Sequence, residues 1–274
     1  MSLTWEGAAP PQRRRLRPAD WARVALRGTA LGVNTFGCLL LLLLLRLIER
    51  PLFGVRRPVT PFVTQYVCRS AFFLLGMECR RSGVPLRRGG ALVANHASWL
   101  DIFALNAGSR VTFVSKSEVA GWPGIGTLAR ATGTVFIRRD RREARTHLRL
   151  LAERLGAGHQ LLFFPEGTST DGRRVLPFRT TLFEAFLQAG SGEASAIQPV
   201  SVVYHAPPGE DPRFYAWWGA MDFASHLLTV LAVPRHGRVE VAYHPPLAVF
   251  AHVDRKTLAR ATEAAVRADF EARL

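Results

Sequence analysis

A histidine and an aspartate stand five residues apart in the segment NHASWLD, residues 95–101. Histidine titrates near neutral pH and can take a proton from a hydroxyl group. A carboxylate bonded to the second ring nitrogen fixes the tautomer and stabilises the imidazolium that forms. His96 and Asp101 are therefore a candidate general base and its orienting acid, although the two residues taken alone fit a structural role at least as well.

The spacing of this pair constrains the local structure. Five residues correspond to about 140° on an α-helix, so the two side chains cannot share one helical face. They can meet only if His96 lies in a turn and Asp101 in the first turn of a helix. The preceding segment ALVAN, residues 91–95, has the apolar character of a buried strand. The loop after such a strand is where α/β proteins expose reactive groups.

The sequence offers neither of the usual covalent nucleophiles, serine or cysteine, in its usual form near His96. There is no G-x-S-x-G segment. The three cysteines, Cys38, Cys68 and Cys79, lie in the first third of the chain without C-x-x-C spacing. We expect them to be buried apolar side chains, and neither a zinc site nor a disulfide scaffold is indicated. Direct activation of a hydroxyl by a base is therefore favoured over covalent catalysis.

The elements that must position this pair follow from the pattern after about residue 84, where short apolar runs alternate with helical segments. Such alternation is typical of an α/β domain. Helical spacing of apolar residues predicts helices over residues 141–155, over residues 181–189 and at the carboxyl terminus, around Leu258, Val266 and Phe270. The predicted strands are residues 91–95, 111–114, 134–137, 161–164, 199–204 and 238–243.

The amino-terminal part contains an uncharged run, GTALGVNTFGCLLLLLLL, whose length just reaches the roughly 18 residues expected of a membrane helix. Arginines on both sides leave its orientation open, and the RLIERPLFG that follows lacks the cleavage site of a signal peptide. A second apolar stretch, residues 61–77, carries Arg69 and suits a helix in the membrane interface. We expect a helical hairpin that dips into one leaflet and leaves the rest cytoplasmic; a single spanning helix is the alternative.

The net charge is +15, from 36 basic and 21 acidic residues, and only Lys116 and Lys256 are lysines. Nucleic acid, anionic lipid and an acidic carrier protein would all suit such a charge. Ten arginines fall within residues 13–57 and bracket the apolar run, which favours an anionic membrane. No nucleic-acid-binding pattern is present, so nucleic acid is not expected as a partner.

Four sequence blocks resemble, in order, those of the glycerolipid acyltransferase family. NHASWLD resembles its N-H-x-x-x-x-D block, and GTVFIRR, residues 133–139, resembles G-x-x-F-I-x-R. FPEGT, residues 164–168, matches F-P-E-G-T, and IQPV, residues 197–200, resembles V-P-V with two variant positions. A K-x-E at Lys116 and Glu118 also fits, so the resemblance covers about residues 65–247.

This resemblance implies an α/β fold, a mixed sheet flanked by helices, with an amino-terminal two-helix membrane motif. The division is then a basic segment (1–24), a membrane-associated helical hairpin (25–80) and an acyltransferase domain (84–274). It also implies transfer in one step without an acyl-enzyme, with a His-Asp pair as the catalytic residues. The residues to which it assigns roles are His96 and Asp101 in catalysis and, in substrate binding, Lys116, Arg139, Glu166, Gly167 and Thr168.

Simpler interpretations remain for several of these residues. Arg139 lies in the basic run RRDRR, residues 138–142, which alone suggests a solvated surface. Gly167 follows a predicted strand, where glycine commonly forms a turn, and Lys116 could cap a strand in solvent. The resemblance implies instead that Arg139 holds the anionic head group of the acceptor, because a guanidinium matches phosphate or carboxylate.

The segment after E-G-T departs from the family pattern. Many members have arginine there, whereas this chain has the residues STDG, 169–172, and its nearest arginines are Arg173 and Arg174. This weakens the expectation of a phosphate acceptor and favours a different anionic head group. Residues 214–247 resemble the bacterial branch that includes lyso-ornithine lipid acyltransferases, some of which also accept lysophosphatidate.

The sequence therefore predicts a membrane-bound O-acyltransferase of lipid biosynthesis. The donor would be acyl carrier protein or coenzyme A carrying a fatty acyl thioester, and the acceptor lyso-ornithine lipid, 1-acyl-glycerol-3-phosphate or both. We expect no metal and no cofactor beyond the thioester, and a location on the cytoplasmic side of a bacterial inner membrane. The alternative is a non-catalytic membrane scaffold that binds lipid or carrier protein, for which the His96–Asp101 pair would have no use.

Overall fold

A computed structural model describes residues 5–11, 15–87, 89–138, 140–189, 196–251 and 254–274. Its centre is an eight-stranded mixed sheet. The strands are β1 (Glu78–Ser82), β2 (Ala91–Ala94), β3 (Val111–Lys116), β4 (Val135–Ile137), β5 (Gln160–Phe163), β6 (Ala196–His205), β7 (Arg238–Tyr243) and β8 (Leu247–Ala248). Their order in the sheet is β1-β7-β6-β2-β5-β3-β4, and β8 pairs with β6. The five strands from β6 to β4 in this order are parallel, and β7 runs antiparallel to β6.

Helices cover both faces of this sheet. They are α1 (Pro18–Phe53), α2 (Thr60–Leu75), α3 (Asp101–Gly108), α4 (Ile125–Thr132), α5 (Ala144–Gly156), α6 (Thr181–Ala189), α7 (Phe223–Ala232) and α8 (Arg255–Arg273). One hydrophobic core joins the sheet to α1, α2, α3 and α7, and a second joins it to α5, α6 and α8. Alternate residues of β2 point into the two cores, Leu92 into the first and Val93 into the second, as the period of two in a strand requires.

Helices α1 and α2 form a hairpin on the first of these faces. Asn34 donates from Nδ2 to Ser70 Oγ at 2.9 Å, and the carboxylate of Glu49 accepts from the backbone N–H and the hydroxyl of Thr60. The outer face of α1 is apolar and exposed, for example at Leu26, 74% exposed. In the described part of the chain, α1 is the one helix long and apolar enough to cross a membrane.

The loop between α1 and α2 is held against the α/β body by Arg57, which donates to the carbonyl oxygen of Ala131 at 2.7 Å. Gly133, the first residue of the GTVFIRR block, lies beside this arginine with a φ of +88°. A Cβ at Gly133 would lie 2.6 Å from Arg57 Cζ, and a positive φ disfavours other residues. The glycine of this block therefore serves the left-handed turn that ends α4.

The predicted mixed sheet flanked by helices is confirmed, and all six predicted strands are present within a few residues of their expected bounds. Helix α6 has the predicted limits, whereas α5 begins at Ala144 after a short 3-10 turn over residues 141–143. The sequence did not indicate β1, β8, α4 or α7, and of α3 it indicated only a first turn at Asp101. These elements are short, or, in the case of β1, polar and exposed, so hydrophobic periodicity carries little signal for them.

Candidate active site

The site is built at one edge of the sheet, where four parallel strands end. Strand β2 leads to His96, its neighbour β5 leads to Glu166, and β3 ends at Lys116. On the other side of β2, the parallel strand β6 carries Tyr204 next to its last residue. Because parallel strands share the direction of their carboxyl ends, these residues lie at a common edge, the usual place for ligands in such sheets.

His96 and Asp101 are in contact. Asp101 is the first residue of α3 and fully buried, and its Oδ2 lies 2.7 Å from Nδ1 of His96. The same oxygen accepts the backbone N–H groups of Ala97 at 2.8 Å and Ser98 at 3.0 Å. The structure therefore has the arrangement that the five-residue spacing demands, a histidine in the turn and an aspartate in the first helical turn. A helix amino terminus also favours a negative charge there.

The second oxygen of Asp101 is held by Tyr204, whose hydroxyl donates to Oδ1 at 2.7 Å. Burial, together with the neighbouring Asp101, raises the pKa of Tyr204 well above its usual value, so the phenol keeps its proton and acts as the donor. Since both oxygens of Asp101 accept hydrogen bonds, the carboxylate is fixed in position and satisfied although it is buried.

The ring of His96 stacks on Phe164, with ring centroids 4.1 Å apart and planes 14° apart. Phe113 continues the stack behind Phe164 at 6.1 Å. An ionised carboxylate only accepts hydrogen bonds, so Asp101 favours the tautomer of His96 that carries its proton on Nδ1. Nε2 is then the nitrogen that can accept a proton, on a side chain that is 21% exposed.

Glu166 joins the loops that follow β2 and β5. Its Oε1 accepts the backbone N–H of His96 at 2.7 Å, and its Oε2 accepts that of Leu176 at 2.8 Å. The side chain is buried, and this burial raises the pKa of Glu166 to about 8, with a smaller contribution from Asp101. The carboxylate thus contacts the backbone that carries His96, and its predicted role in shaping the acceptor pocket stays a prediction.

Of the remaining predicted residues, Lys116, Gly167 and Thr168 follow or end strands at the same edge. Gly167 has a φ of +72°, and its N–H donates to the carbonyl oxygen of Phe164 at 3.1 Å, so that amide already serves the turn. Thr168 Oγ1 accepts the backbone N–H of Trp5. Lys116 ends β3, two strands from β2. Arg139 lies outside the described residues. Among the residues described, no group of three or more His, Cys, Asp and Glu side chains could hold a metal ion.

Sequence reasoning missed Tyr204, Phe164 as a partner of the His96 ring, and Trp5. Tyr204 had a usable signal, because β6 was predicted and a polar side chain near the carboxyl end of a strand is a site candidate in an α/β fold. Trp5 had none, since 163 residues separate it from Thr168. Together, the fold and this edge define an α/β enzyme with a buried acid and a histidine as its candidate base.

Comparisons with known proteins identify the family. Residues 78–203 match the acyltransferase family. A lyso-ornithine lipid O-acyltransferase of Rhodobacter capsulatus is 57% identical over 263 residues, 96% of this chain and 95% of that protein. A 1-acyl-sn-glycerol-3-phosphate acyltransferase of Neisseria gonorrhoeae is 38% identical over 118 residues, 43% of this chain and 46% of that protein.

The fold has a counterpart among solved structures. The crystal structure of the 1-acyl-sn-glycerophosphate acyltransferase of Thermotoga maritima matches with a TM-score of 0.56 and 21% identity, over 90% of this chain and 97% of that one. The chain belongs to the acyltransferase family and is an enzyme of that family, as its four sequence blocks indicated.

Proposed function

We propose that this enzyme transfers a fatty acyl chain from an acyl thioester to the free hydroxyl of lyso-ornithine lipid, with His96 as the base. The observation that carries the proposal is the contact of His96 with a buried, fully bonded Asp101. The acceptor is suggested by the relatives. The lyso-ornithine lipid enzyme of R. capsulatus is similar along nearly the whole chain, whereas the N. gonorrhoeae glycerophosphate enzyme matches less than half of it. Lysophosphatidate is therefore the second acceptor.

The reaction begins when His96 Nε2 takes the proton of the acceptor hydroxyl. The oxygen attacks the thioester carbonyl carbon, and the tetrahedral intermediate expels the thiolate as the C–S bond breaks. The imidazolium then returns its proton to the leaving sulfur. Asp101 acts throughout by holding the Nδ1–H and stabilising the positive ring. Phe164 supports this geometry because its stacking keeps the ring plane fixed.

A direct transfer without an acyl-enzyme is favoured by what surrounds the base. Among the described residues, the His96 ring is hydrogen-bonded to Asp101 and to no serine or cysteine. Ser98, the nearest hydroxyl in sequence, is fully buried and accepts the backbone N–H of Leu100. Burial also raises the pKa of the Cys68 thiol to about 12, which disfavours the thiolate that a nucleophile requires.

The charge of the chain and the hairpin support a proposal for the donor and the location. A chain with a net charge of +15 attracts both an anionic bilayer and an acidic acyl carrier protein. Acyl thioesters of carrier protein and coenzyme A are made in the cytoplasm. We therefore place the active site on the cytoplasmic side of a bacterial inner membrane, with α1 and α2 in contact with the lipid.

The test is transfer of a labelled acyl chain from acyl carrier protein, and separately from coenzyme A, to each lysolipid in membranes containing the enzyme. His96→Ala should lower the rate by at least about a hundredfold, as expected for loss of a general base. A suitable control is His205→Ala, because His205 is 25% exposed, similar to His96, but pairs with Glu240. Activity that survives in His96→Ala would remove the proposed base, and lipid binding without transfer by the wild type would indicate a scaffold.

A further inference from the structure

The amino-terminal segment, residues 5–11, lies across the loop that follows β5. The backbone N–H of Trp5 donates to Thr168 Oγ1 at 3.1 Å, within the FPEGT block. Two further bonds fix the segment to the loop before α7. The Trp218 indole N–H donates to the carbonyl oxygen of Ala8 at 3.1 Å, and Arg213 donates to that of Ala9 at 3.0 Å. This short segment therefore packs against two loops, the one that carries the FPEGT block and the one before α7.

The Trp5 indole is enclosed by three residues. Its ring lies 6.1 Å from that of Trp218, and the guanidinium carbon of Arg174 lies 5.1 Å from its centroid. That second distance suits a cation–π contact. Gly7 passes so close that a Cβ there would lie 2.6 Å from the indole. The absence of a side chain at Gly7 thus leaves room for the Trp5 indole to lie against the Arg174 guanidinium.

In the described part of the chain, Arg174 is held on two sides, and no hydrogen-bond partner lies on its third side. Its Nε and Nη2 donate to the two carboxylate oxygens of the buried Asp171, at 3.1 Å and 3.0 Å. Asp171 therefore occupies one edge of the guanidinium, and Trp5 covers one face. The other edge, with Nη1 and the second N–H of Nη2, faces away from Asp171, on a side chain that is 51% exposed. Two parallel N–H groups on a fixed guanidinium match a carboxylate or phosphate.

Thr170 connects the loop of Arg174 to the turn that carries His96. The N–H of Thr170 donates to the carbonyl oxygen of His96 at 3.0 Å, and the Thr170 hydroxyl donates to that of Arg174 at 3.3 Å. One residue thus connects the turn of the base to the arginine. Along the chain, Arg174 lies on the same loop as Thr168, six residues beyond it.

We propose that Arg174, held by Trp5 and Asp171, binds the anionic head group of the lysolipid acceptor, and that Trp5 is a specificity-determining residue of this enzyme. The ligand is an oxyanion, either the carboxylate of lyso-ornithine lipid or the phosphate of lysophosphatidate. The inference rests on the proposed function, because it assigns residues to the acceptor of that reaction. It makes the amino-terminal segment part of the substrate site.

The experiment measures kcat and KM for both acceptors with Arg174→Ala, Arg174→Lys, Trp5→Ala and Trp5→Phe. Loss of a charge-assisted bidentate contact should raise the acceptor KM of Arg174→Ala by about tenfold or more, with kcat within about twofold of the wild type. Arg174→Lys should restore part of the affinity. Trp5→Ala should raise the same KM by a few fold, and Trp5→Phe, which keeps an aromatic face, by less. The double variant Trp5→Ala/Arg174→Ala should be no worse than Arg174→Ala alone.

The control is Arg173→Ala, which removes a neighbouring positive charge that does not stack on Trp5; its KM should stay at the wild-type value. A KM increase for one acceptor only would support the inference and identify the head group. A KM that stays within twofold for both acceptors in Arg174→Ala would overturn it while leaving the proposed function intact. A wild type that acylates neither acceptor would overturn both. Thermal unfolding of each variant separates loss of binding from loss of fold.

Discussion

At the scale of single residues, Asp101 is the centre of the site. It receives hydrogen bonds from the His96 ring, from two backbone N–H groups and from the Tyr204 hydroxyl. A fully buried carboxylate would be costly without such donors. The four donors come from the turn before α3 and from β6, so the orientation of the base depends on two separate elements. Of the four donors to Asp101, His96 supplies one, its ring nitrogen Nδ1.

Replacing Tyr204 by phenylalanine tests this dependence. The Tyr204→Phe variant keeps the ring in the core but leaves Asp101 Oδ1 without a donor. We expect kcat to fall by about tenfold or more with an unchanged acceptor KM, because a hydrogen bond to a charged group contributes about 1.5–3 kcal/mol and about 1.4 kcal/mol corresponds to tenfold. Tyr215→Phe is the matched control. Tyr215 packs 5.7 Å from Tyr204, and its hydroxyl contacts His236 and Gly237 outside the site. Equal kcat values for wild type and Tyr204→Phe would contradict the prediction.

At the scale of elements, the site depends on short strands and on the loops that follow them. The sequence could predict these strands because β2, β5 and β6 are nearly uninterrupted apolar runs, as expected where helices cover both faces of a sheet. It also predicted that a helix would begin near Asp101, from the need to bring this residue to His96. The full extent of α3 was not predictable, because six of its eight residues are apolar and are spread around the helix without a helical period.

Contacts between distant loops were equally beyond sequence reasoning. The resemblance implies that Glu166 shapes the acceptor pocket, which stays a prediction, and it gave no sign that its two oxygens accept the backbone N–H groups of His96 and Leu176. Nothing in the chain order tells which loop a buried carboxylate will meet. The same holds for Trp5, whose partners follow it by more than 160 residues.

Glu166 makes the connection between these loops sensitive to pH. Its pKa is raised from an ordinary value near 4.5 to about 8 by burial. The folded state therefore binds the proton more tightly than the unfolded state. The contribution of this proton to the free energy of unfolding is complete below about pH 4.5 and is lost as the pH rises through about 8. We expect the melting temperature of the wild type to fall over this range relative to that of Glu166→Gln, which cannot titrate. A difference in melting temperature that stays constant from pH 5 to pH 9 would contradict this.

At the scale of the whole molecule, the two ends of α1 are held by the same α/β body. Near its start, Arg23 and Arg27 donate to the carbonyl oxygens of Ala232 and Val233, at 2.8 Å and 2.6 Å. Just after its end, Arg57 donates to the carbonyl oxygen of Ala131. At about 1.5 Å per residue, the 36 residues of α1 extend over roughly 54 Å. A helix fixed to one body at both ends lies along it, with its exposed apolar face available to lipid.

This geometry leads to a topology prediction that separates the hairpin from a spanning anchor. The bilayer core is about 30 Å thick, so a spanning α1 would place its two ends on opposite sides. If α1 lies along the body, tags at the amino and carboxyl termini are both cytoplasmic, and external protease should remove both from sealed inside-out vesicles. A periplasmic marker that stays protected until detergent is added controls for leakage. Protection of the amino-terminal tag alone would show that α1 crosses the membrane, and the bonds between Arg23, Arg27 and α7 could not then form in the membrane-bound enzyme.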